Sequence, residues 1–259
     1  MLFCIDLGNT NITLGLYEGE ELRGHWRVRT DHHKMPDEYG ILMISLLRHA
    51  GFDPDGVSGV CMCSVVPPLT GVLDEACRVY LHHAPLIVDA SINTGVKICY
   101  DNPREVGADR VVDAVAVYKL YGAPACVVDF GTATTFDAIS RNGEYLGGAI
   151  APGIGIAAEA LFSRTAKLPR IDLVRPPGPI GRNTVHSMQS GLIFGYVGLV
   201  EGMVTRFRRE LGEDMRVIGT GGLVEIIARE TDVIQKVDPW LTLHGLRILW
   251  EMNRAMLAP

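Results

Sequence analysis

A segment near the start of the chain recurs 123 residues later, and the two copies align without a gap. The first copy opens with Ile5–Asn11 (Ile-Asp-Leu-Gly-Asn-Thr-Asn) and the second with Val128–Thr134 (Val-Asp-Phe-Gly-Thr-Ala-Thr). Each copy reads as an apolar strand, an Asp-x-Gly turn, a second strand, a tight turn and a third strand. The residues that coincide are Asp6 with Asp129, Gly8 with Gly131, Glu21 with Glu144, and Gly24 with Gly147.

A period this long is not that of a solenoid repeat, so the pattern predicts two similar half-domains that face each other across a cleft. Strands and helices alternate along the whole chain, which favours an α/β fold with helices flanking twisted sheets. We expect an N-terminal half-domain over residues 1–118 and a C-terminal one over residues 119–259. The last helix is a candidate to pack back on the first half.

The two Asp-x-Gly turns suit the binding of a nucleoside triphosphate. Because glycine has no Cβ, backbone N–H groups in such a turn can approach phosphate oxygens closely. Asp6 and Asp129 end buried strands, where a cation between carboxylate and phosphate would offset the cost of a buried charge. Hydroxyls near the turns are further candidate donors: Thr10, Thr13, Thr132, Thr134 and Thr135. The alternative is a pair of ordinary hairpins whose Asp-x-Gly only makes a turn, but the repetition favours phosphate binding.

A third glycine-rich turn, Gly219–Gly222, follows a predicted strand and precedes a predicted helix. Its bare backbone would let an adenine ring or a ribose lie flat against it, although Gly-Gly turns are common. No Gly-x-x-x-x-Gly-Lys-Ser/Thr sequence occurs, so the P-loop fold is excluded.

Gly107–Arg110 (Gly-Ala-Asp-Arg) is the sharpest candidate for catalysis. In a kinase, the Asp109 carboxylate would accept the proton of the acceptor hydroxyl and orient it for attack on the γ-phosphate. Arg110 would bind an anionic part of the acceptor. The alternative is that Asp109 is only the N-cap of the helix that follows.

Two further groups could line an acceptor pocket. Tyr100, Asn102 and Arg104 precede the candidate base, and Gly181–Thr184 ends a loop rich in Pro, Arg and Gly that begins near residue 163. Asn183 or Thr184 could equally cap the long helix predicted over Val185–Leu211.

The same long helix carries Gly191, Gly195, Gly198 and Gly202 at near-helical spacing. Glycines along one helical face allow another helix to approach closely. That second helix could belong to a partner subunit or to the same chain, and the sequence leaves both possibilities open.

Composition excludes several classes of function. The net charge of −6 argues against a general affinity for nucleic acid, and no apolar run is long enough to span a membrane. The N-terminus has no basic segment of the kind found in secretory signals. No second Cys or His pair accompanies Cys61 and Cys63 at a zinc-site spacing, so buried free thiols in a reducing cytoplasm are expected for all six cysteines.

Four motifs together closely resemble the type III pantothenate kinase family. They are Asp6–Asn11, Gly107–Arg110, Asp129–Thr135 and Asp238–Leu246, and Gly147–Gly153 also fits. The match runs nearly end to end, in the family's order and spacing. That family belongs to the superfamily of actin-like proteins, sugar kinases and Hsp70 ATPases, with a ribonuclease H-like fold, which accounts for the duplicated hairpin.

The resemblance implies ATP-dependent phosphorylation of the 4′-hydroxyl of pantothenate, the first step of coenzyme A synthesis. It also implies Mg²⁺, a monovalent cation (K⁺ or NH₄⁺) and a cytoplasmic homodimer. Asp109 becomes the catalytic base, Asp6 stands near Mg²⁺, and Asp129 ligates the monovalent cation. The implied ATP-binding residues are Asp6, Leu7, Gly8, Asn9, Thr10, Asn11, Ile12, Thr13, Gly131 and Thr132, with the third turn contributing Gly221 and Gly222. The implied pantothenate-binding residues are Tyr100, Gly107, Ala108, Asp109, Arg110 and Thr184, the last in this family from the neighbouring subunit.

Two rival functions come from other classes. Proteins named Bvg accessory factors belong to the same family, so a regulatory, non-catalytic role is the first rival, and the intact Asp6, Asp109 and Asp129 argue against it. The second rival is another small-molecule kinase, or a hydrolase, of the actin-like superfamily.

Overall fold

A computed structural model describes residues 1–89 and 91–256. The chain folds into two compact units. The first comprises Met1–Val96, Asn102–Ala116 and the C-terminal segment that starts at Thr242. The second comprises Lys97–Asp101 and Val117–Leu241. The boundary at residue 118 remains a prediction, and the last three residues of the predicted second half-domain lie outside the described part.

The first unit contains a five-stranded mixed sheet in the order β3-β2-β1-β4-β5. Strands β1, β2 and β3 form an antiparallel meander, and β4 and β5 extend it with parallel pairing on the other side of β1. Their bounds are Leu2–Leu7 (β1), Asn11–Glu18 (β2), Glu21–Arg29 (β3), Gly59–Ser64 (β4) and Leu86–Ile87 (β5).

The second unit repeats this topology with the order β10-β9-β6-β7-β8. Strands β6, β7 and β8 are the antiparallel meander, and β9 and β10 add the parallel pairs. Their bounds are Ala125–Phe130 (β6), Ala133–Ile139 (β7), Tyr145–Pro152 (β8), Arg216–Thr220 (β9) and Lys236–Val237 (β10).

Seven α-helices are present in the described residues. They are Pro36–His49 (α1), Pro67–Tyr80 (α2), Ala108–Leu120 (α3), Ile154–Ser163 (α4), Thr184–Leu211 (α5), Val224–Ala228 (α6) and Leu241–Asn253 (α7). In that same part of the chain, no helix has the length and apolar character needed to cross a membrane.

Each sheet has one face in a hydrophobic core. In the first unit, the alternate residues Phe3, Ile5 and Leu7 of β1 pack with residues of α1 and α2. Because side chains alternate along a strand, Asp6 points to the other face. On that other face α7 approaches so closely that a Cβ on Gly15 of β2 would lie 2.8 Å from the Leu243 side chain.

The second core is built in the same way. Cys126, Val128 and Phe130 of β6 are buried together with residues of α5, among them Ile193 and Val200. The strict alternation in both first strands is what placed the two aspartates on the opposite face from the core.

Three details of the structure go beyond or differ from what the sequence indicated. The two-residue strand β10 was not predicted, because Lys236–Val237 is too short to show alternation. The last α-helix ends at Asn253 and continues as a 3-10 turn over Arg254–Met256. Among the cysteines, all six are free as predicted, but Cys99 is exposed and the expectation of burial was wrong for it.

Candidate active site

The first Asp-x-Gly turn is a closed loop with its own backbone bonds. The Gly8 N–H donates to the Asn11 carbonyl at 3.1 Å, and a Cβ on Gly8 would lie 2.9 Å from that oxygen. Thr30, which follows β3, braces the loop: its hydroxyl donates to the Gly8 carbonyl at 2.6 Å and its N–H donates to the Thr10 carbonyl at 3.0 Å.

The predicted ATP-binding residues of this loop divide by exposure. Leu7, Ile12 and Thr13 are buried, so Leu7 and Ile12 can offer a ligand only their backbone. The residues exposed at the tip of the loop are Asn9, Thr10 and Asn11.

Asp6 is partly buried and lies among polar groups of three other elements. It pairs with Thr13 of β2 and Cys63 of β4, and the Cys63 thiol donates to Asp6 Oδ1 at 3.5 Å. Burial and the negative charge of Asp109 raise the pKa of Asp6 to about 7, against the smaller effects of the Cys63 hydrogen bond and Arg27. A nearby cation would offset both the burial of the Asp6 carboxylate and its repulsion from Asp109, so this position would bind a cation favourably.

Asp109 lies in the first turn of α3, which begins at Ala108, so it is not the N-cap of that helix. The Arg110 N–H donates to Asp109 Oδ1 at 2.8 Å. A Cβ on Gly107 would lie 2.6 Å from the same oxygen, so glycine is required for the carboxylate to turn back over the helix start. Burial raises the pKa of Asp109, and the Arg110 N–H and guanidinium oppose that shift.

The structure therefore brings the predicted catalytic and Mg²⁺ carboxylates together. Asp6 and Asp109, far apart in sequence, interact electrostatically on one side of the first unit's sheet. Ala108 and Arg110 accompany Asp109 in the first turn of α3, and both are partly buried.

In the second unit, Asp129 ends β6 and lies against two of the predicted glycines. A Cβ on Gly221 would lie 2.2 Å from Asp129 Oδ1, and one on Gly131 would lie 3.3 Å from Oδ2. Gly221 also has φ +93°, a conformation that other residues rarely adopt. Thus the predicted cation ligand and the second and third glycine turns are adjacent, and Gly222 is exposed beside them.

The second turn also contacts the Gly147–Gly153 segment. The Gly153 N–H donates to the Thr132 carbonyl at 3.1 Å, and a Cβ on Gly153 would lie 2.2 Å from that oxygen. The Thr132 side chain is exposed. Two of the other predicted hydroxyl donors are not available: Thr134 is fully buried, and the Thr135 hydroxyl donates to Asp137 Oδ2 at 3.2 Å.

Tyr100 belongs to the second unit, whereas Gly107–Arg110 belong to the first. Its ring lies against β8, where a Cβ on Gly147 would be 3.1 Å away, and it is 37% exposed. The Tyr100 ring thus packs against Gly147 of the second hairpin, and its exposed part can contact a ligand.

Thr184 is exposed and is the first residue of α5, one residue earlier than predicted. Asn183 is the N-cap, because its side-chain oxygen accepts the His186 N–H at 2.8 Å. The Thr184 hydroxyl therefore does not cap the helix. Helix capping is a role of Asn183, and the predicted contact with the acceptor concerns Thr184.

Sequence reasoning missed three residues around the first turn. Thr30 braces the loop, Cys63 donates to Asp6, and the buried Asp113 accepts the Thr242 hydroxyl at 2.8 Å. None follows a recognisable motif. Only the i, i+4 spacing of Asp113 from Asp109 could have indicated that the two share a helix face.

No cluster of three or more His, Cys, Asp or Glu side chains able to hold a metal is found in residues 1–89 and 91–256. Single carboxylates such as Asp6 and Asp129 are a different case, since Mg²⁺ commonly binds one or two carboxylates together with phosphates and water.

The sequence profile of type III pantothenate kinase matches residues 2–206 of this chain. The chain belongs to the type III pantothenate kinase family. It is 57% identical over 253 residues to a type III pantothenate kinase of Moorella thermoacetica, covering 98% of this chain and 100% of the relative. It is 56% identical over 254 residues to one from Geobacter sulfurreducens, with the same coverage. The family resemblance seen in the sequence is confirmed.

Solved structures support the fold. A Campylobacter jejuni protein described as a Baf family transcriptional activator is similar with a TM-score of 0.63 at 20% identity, covering 98% of this chain and 99% of that one. A 2-dehydro-3-deoxygalactonokinase from Sinorhizobium meliloti has a TM-score of 0.59 at 10% identity, covering 100% and 98%. At these identities the likeness concerns the fold alone. With the duplicated five-stranded sheets, it confirms the predicted actin-like α/β fold.

Proposed function

We propose that this chain transfers the γ-phosphoryl group of ATP to the 4′-hydroxyl of pantothenate, the first step of coenzyme A synthesis. The chain's membership of the type III pantothenate kinase family supports this activity. The structural observation that carries it is that one unit holds Asp6 beside the Gly8 turn and Asp109 at the start of α3, with Asp109 Oδ1 held by the Arg110 N–H and its charge acting on Asp6. One carboxylate ends a strand at a glycine turn, and the other stands at the start of a helix.

Asp109 is the proposed catalytic base. Its raised pKa improves it as a proton acceptor, and the Arg110 N–H fixes Oδ1 so that Oδ2 can face the acceptor hydroxyl. In phosphoryl transfer, orienting the hydroxyl for in-line attack matters more than removing its proton early. Arg110 is proposed to bind the carboxylate of pantothenate, as a permanent cation suited to that geometry.

Asp6 is the proposed residue near Mg²⁺, directly or through water. The donor set fits: a partly buried carboxylate that faces a second negative charge gains from a nearby cation. When bound, Mg²⁺ would neutralise phosphate charge during transfer. The N–H groups of the Gly8 loop and the exposed Asn9, Thr10 and Asn11 would hold phosphate oxygens.

In the second unit, Asp129 is proposed to ligate the monovalent cation, K⁺ or NH₄⁺. Gly131 and Gly221 lie beside the Asp129 carboxylate, and because they have no side chains they do not cover it. Thr132 is proposed to contact ATP, and the turn of Gly221 and Gly222 to accommodate the adenosine. A cation at this position would support the phosphates where other kinases use a lysine.

Tyr100 and Thr184 of the second unit are also proposed to contact pantothenate, and each has an exposed side chain. Whether Thr184 serves its own subunit or the partner's depends on the assembly, which we propose to be a homodimer. We also propose a cytoplasmic location, in keeping with six free cysteines.

The homodimer proposal is supported by the glycine face of α5. A Cβ on Gly191, Gly195 or Gly198 would have no neighbour within 4 Å among residues 1–89 and 91–256. Close packing inside one chain therefore does not explain these three glycines. Apolar side chains are also exposed nearby in sequence, at Ile180 and Val185.

The activity is tested by ADP formation from ATP and Mg²⁺ with pantothenate, with and without K⁺, against a panel of hexoses. We expect pantothenate-dependent ADP that requires K⁺ or NH₄⁺. Activity only with a sugar would point to another kinase of the superfamily. If no acceptor gave ADP, the result would favour a regulatory, non-catalytic role.

The assembly is tested by Gly195→Leu, measured by analytical ultracentrifugation. The new side chain enters open space in the single chain, so the fold should persist while the dimer dissociates. Gly155→Ala, also at an open glycine but on α4, is the matched control. A Gly195→Leu protein that sediments as the wild type would refute a dimer through this face.

A further inference from the structure

The segment Asp238–Leu246 takes part in the family resemblance, yet none of its residues has a role in the proposed reaction. Its second half forms the beginning of α7, from Leu241 onward. There α7 meets α3, the helix that carries Asp109, within the first unit.

Two contacts join these helices. The Thr242 hydroxyl donates to Asp113 Oδ1 at 2.8 Å, and Asp113 is only 4% exposed. One turn further along α7, a Cβ on Gly245 would lie 2.4 Å from the Val112 carbonyl. Any larger residue would push the helices apart, so glycine here sets how closely α7 approaches the backbone of α3.

Both contacts fall one turn after the candidate base. Asp113 follows Asp109 by four residues, so the two carboxylates share a face of α3. The charges of both reach Cys63, the strand partner of Asp6. The depth and rotation of α3 at Asp113 therefore determine where Asp109 stands relative to Asp6.

We propose that Thr242 and Gly245 are positioning residues that hold the first two turns of α3 so that the Asp109 carboxylate faces the acceptor hydroxyl. The inference rests on the proposed function of Asp109 as the base. Thr242 and Gly245 touch neither substrate nor the reacting atoms; they act through Asp113 and Val112.

The test is Thr242→Val, which replaces the hydroxyl by a methyl group of similar volume. With pantothenate as acceptor, we expect kcat to fall at least tenfold, while the KM for ATP and the Kd for ADP stay within about twofold. Thr242→Ser, which keeps the donor, should restore kcat to within about threefold of the wild type. Amide hydrogen exchange over residues 111–113 should be faster in Thr242→Val than in the wild type.

Tyr17→Phe is the matched control, because it removes another hydrogen bond to α7, the one between the Tyr17 hydroxyl and His244 Nδ1 at 2.7 Å. It should leave kcat and the exchange of residues 111–113 unchanged. If Thr242→Val does not fold, Thr242→Ala removes the same hydroxyl without strain and must give the same result.

The outcomes separate the two proposals. A wild type that forms no ADP with pantothenate overturns the proposed function. An active wild type overturns the inference if Thr242→Val keeps its kcat, if Thr242→Ser fails to rescue it, or if Tyr17→Phe loses as much activity.

Discussion

The two Asp-x-Gly turns share a backbone design but differ in what surrounds the carboxylate. Asp6 pairs with Thr13, and Asp129 pairs with Thr135, each on a neighbouring antiparallel strand. The second turn is one residue shorter, because the Gly8 N–H bonds to the residue three further on, whereas the Gly131 N–H bonds to Ala133, two further on.

The surroundings diverge beyond the turn. Asp6 faces a second carboxylate and a thiol, contributed by α3 and β4. Asp129 lies against the bare backbone of Gly221 and Gly131. The two aspartates of the duplicated turn thus acquire different surroundings, because segments outside the repeated hairpin contribute Cys63 and Asp109 beside Asp6 and Gly221 beside Asp129.

The largest expected effect comes from Asp109, the carboxylate whose charge acts on Asp6 of the first turn. Asp109→Asn should keep ATP binding but lower kcat by about 10²- to 10⁴-fold, the usual contribution of a general base. Steady-state ADP formation gives kcat, and nucleotide titration gives the Kd. Asp55→Asn, an exposed aspartate of the same unit, should change neither. An unchanged kcat in Asp109→Asn would remove the functional difference between the turns.

The second prediction concerns the glycines that support each carboxylate. Gly221→Ala should lower the free energy of unfolding by roughly 2–4 kcal/mol, because its φ is +93° and its Cβ would collide with Asp129. Gly8→Ala should cost less, roughly 1–2 kcal/mol, because Gly8 is not among the glycines with positive φ and its Cβ would meet one backbone oxygen, at 2.9 Å.

Denaturant unfolding measures both, with Gly155→Ala as the control at an open position. Equal losses at Gly221 and Gly8 would contradict the view that the second turn is the more tightly packed of the two.

The third prediction, of a smaller effect than that of Gly221→Ala, concerns the pH dependence of stability without Mg²⁺ or ATP. Because the pKa of Asp6 is raised to about 7, the folded state binds a proton that the unfolded state releases near pH 4. Stability from this group is therefore complete below about pH 4 and is lost as the pH rises to about 7. After allowance for solvent screening, the loss is roughly 2 kcal/mol.

Asp6→Asn should flatten this part of the curve, as measured by urea unfolding between pH 4 and pH 8. Asp55→Asn is again the control. If the free energy of unfolding of Asp6→Asn changed with pH as steeply as that of the wild type, the raised pKa would not belong to Asp6.

Much of the fold could be predicted from the sequence. Apolar runs and Asp-x-Gly turns located the first two strands of each repeat, and the long helix α5 was predicted to within one residue. The catalytic candidate Asp109 and the aspartates of both turns were also found in the sequence. The cleft and the individual ligand contacts remain predictions.

Other features could not be predicted, because they depend on chain segments that are distant in sequence. From the sequence, Thr134 was a candidate hydrogen-bond donor to phosphate, but it is buried in the structure. Cys63 was expected to be a buried free thiol, and only the structure shows that it donates to Asp6. Thr30 gave no signal at all, and Thr242 lay in a motif of the family resemblance that did not reveal its hydrogen bond to Asp113.

The sequence by itself determined the two repeats, since strand alternation and glycine turns are local properties of the backbone. Only the tertiary structure decided that the charge of Asp109 acts on Asp6 and that the backbone of Gly221 lies against Asp129. The physical reason is that hydrogen bonding, burial and charge act through space. Cys63 and Asp109, which act on Asp6, and Gly221, which lies against Asp129, all come from segments outside the repeated hairpin.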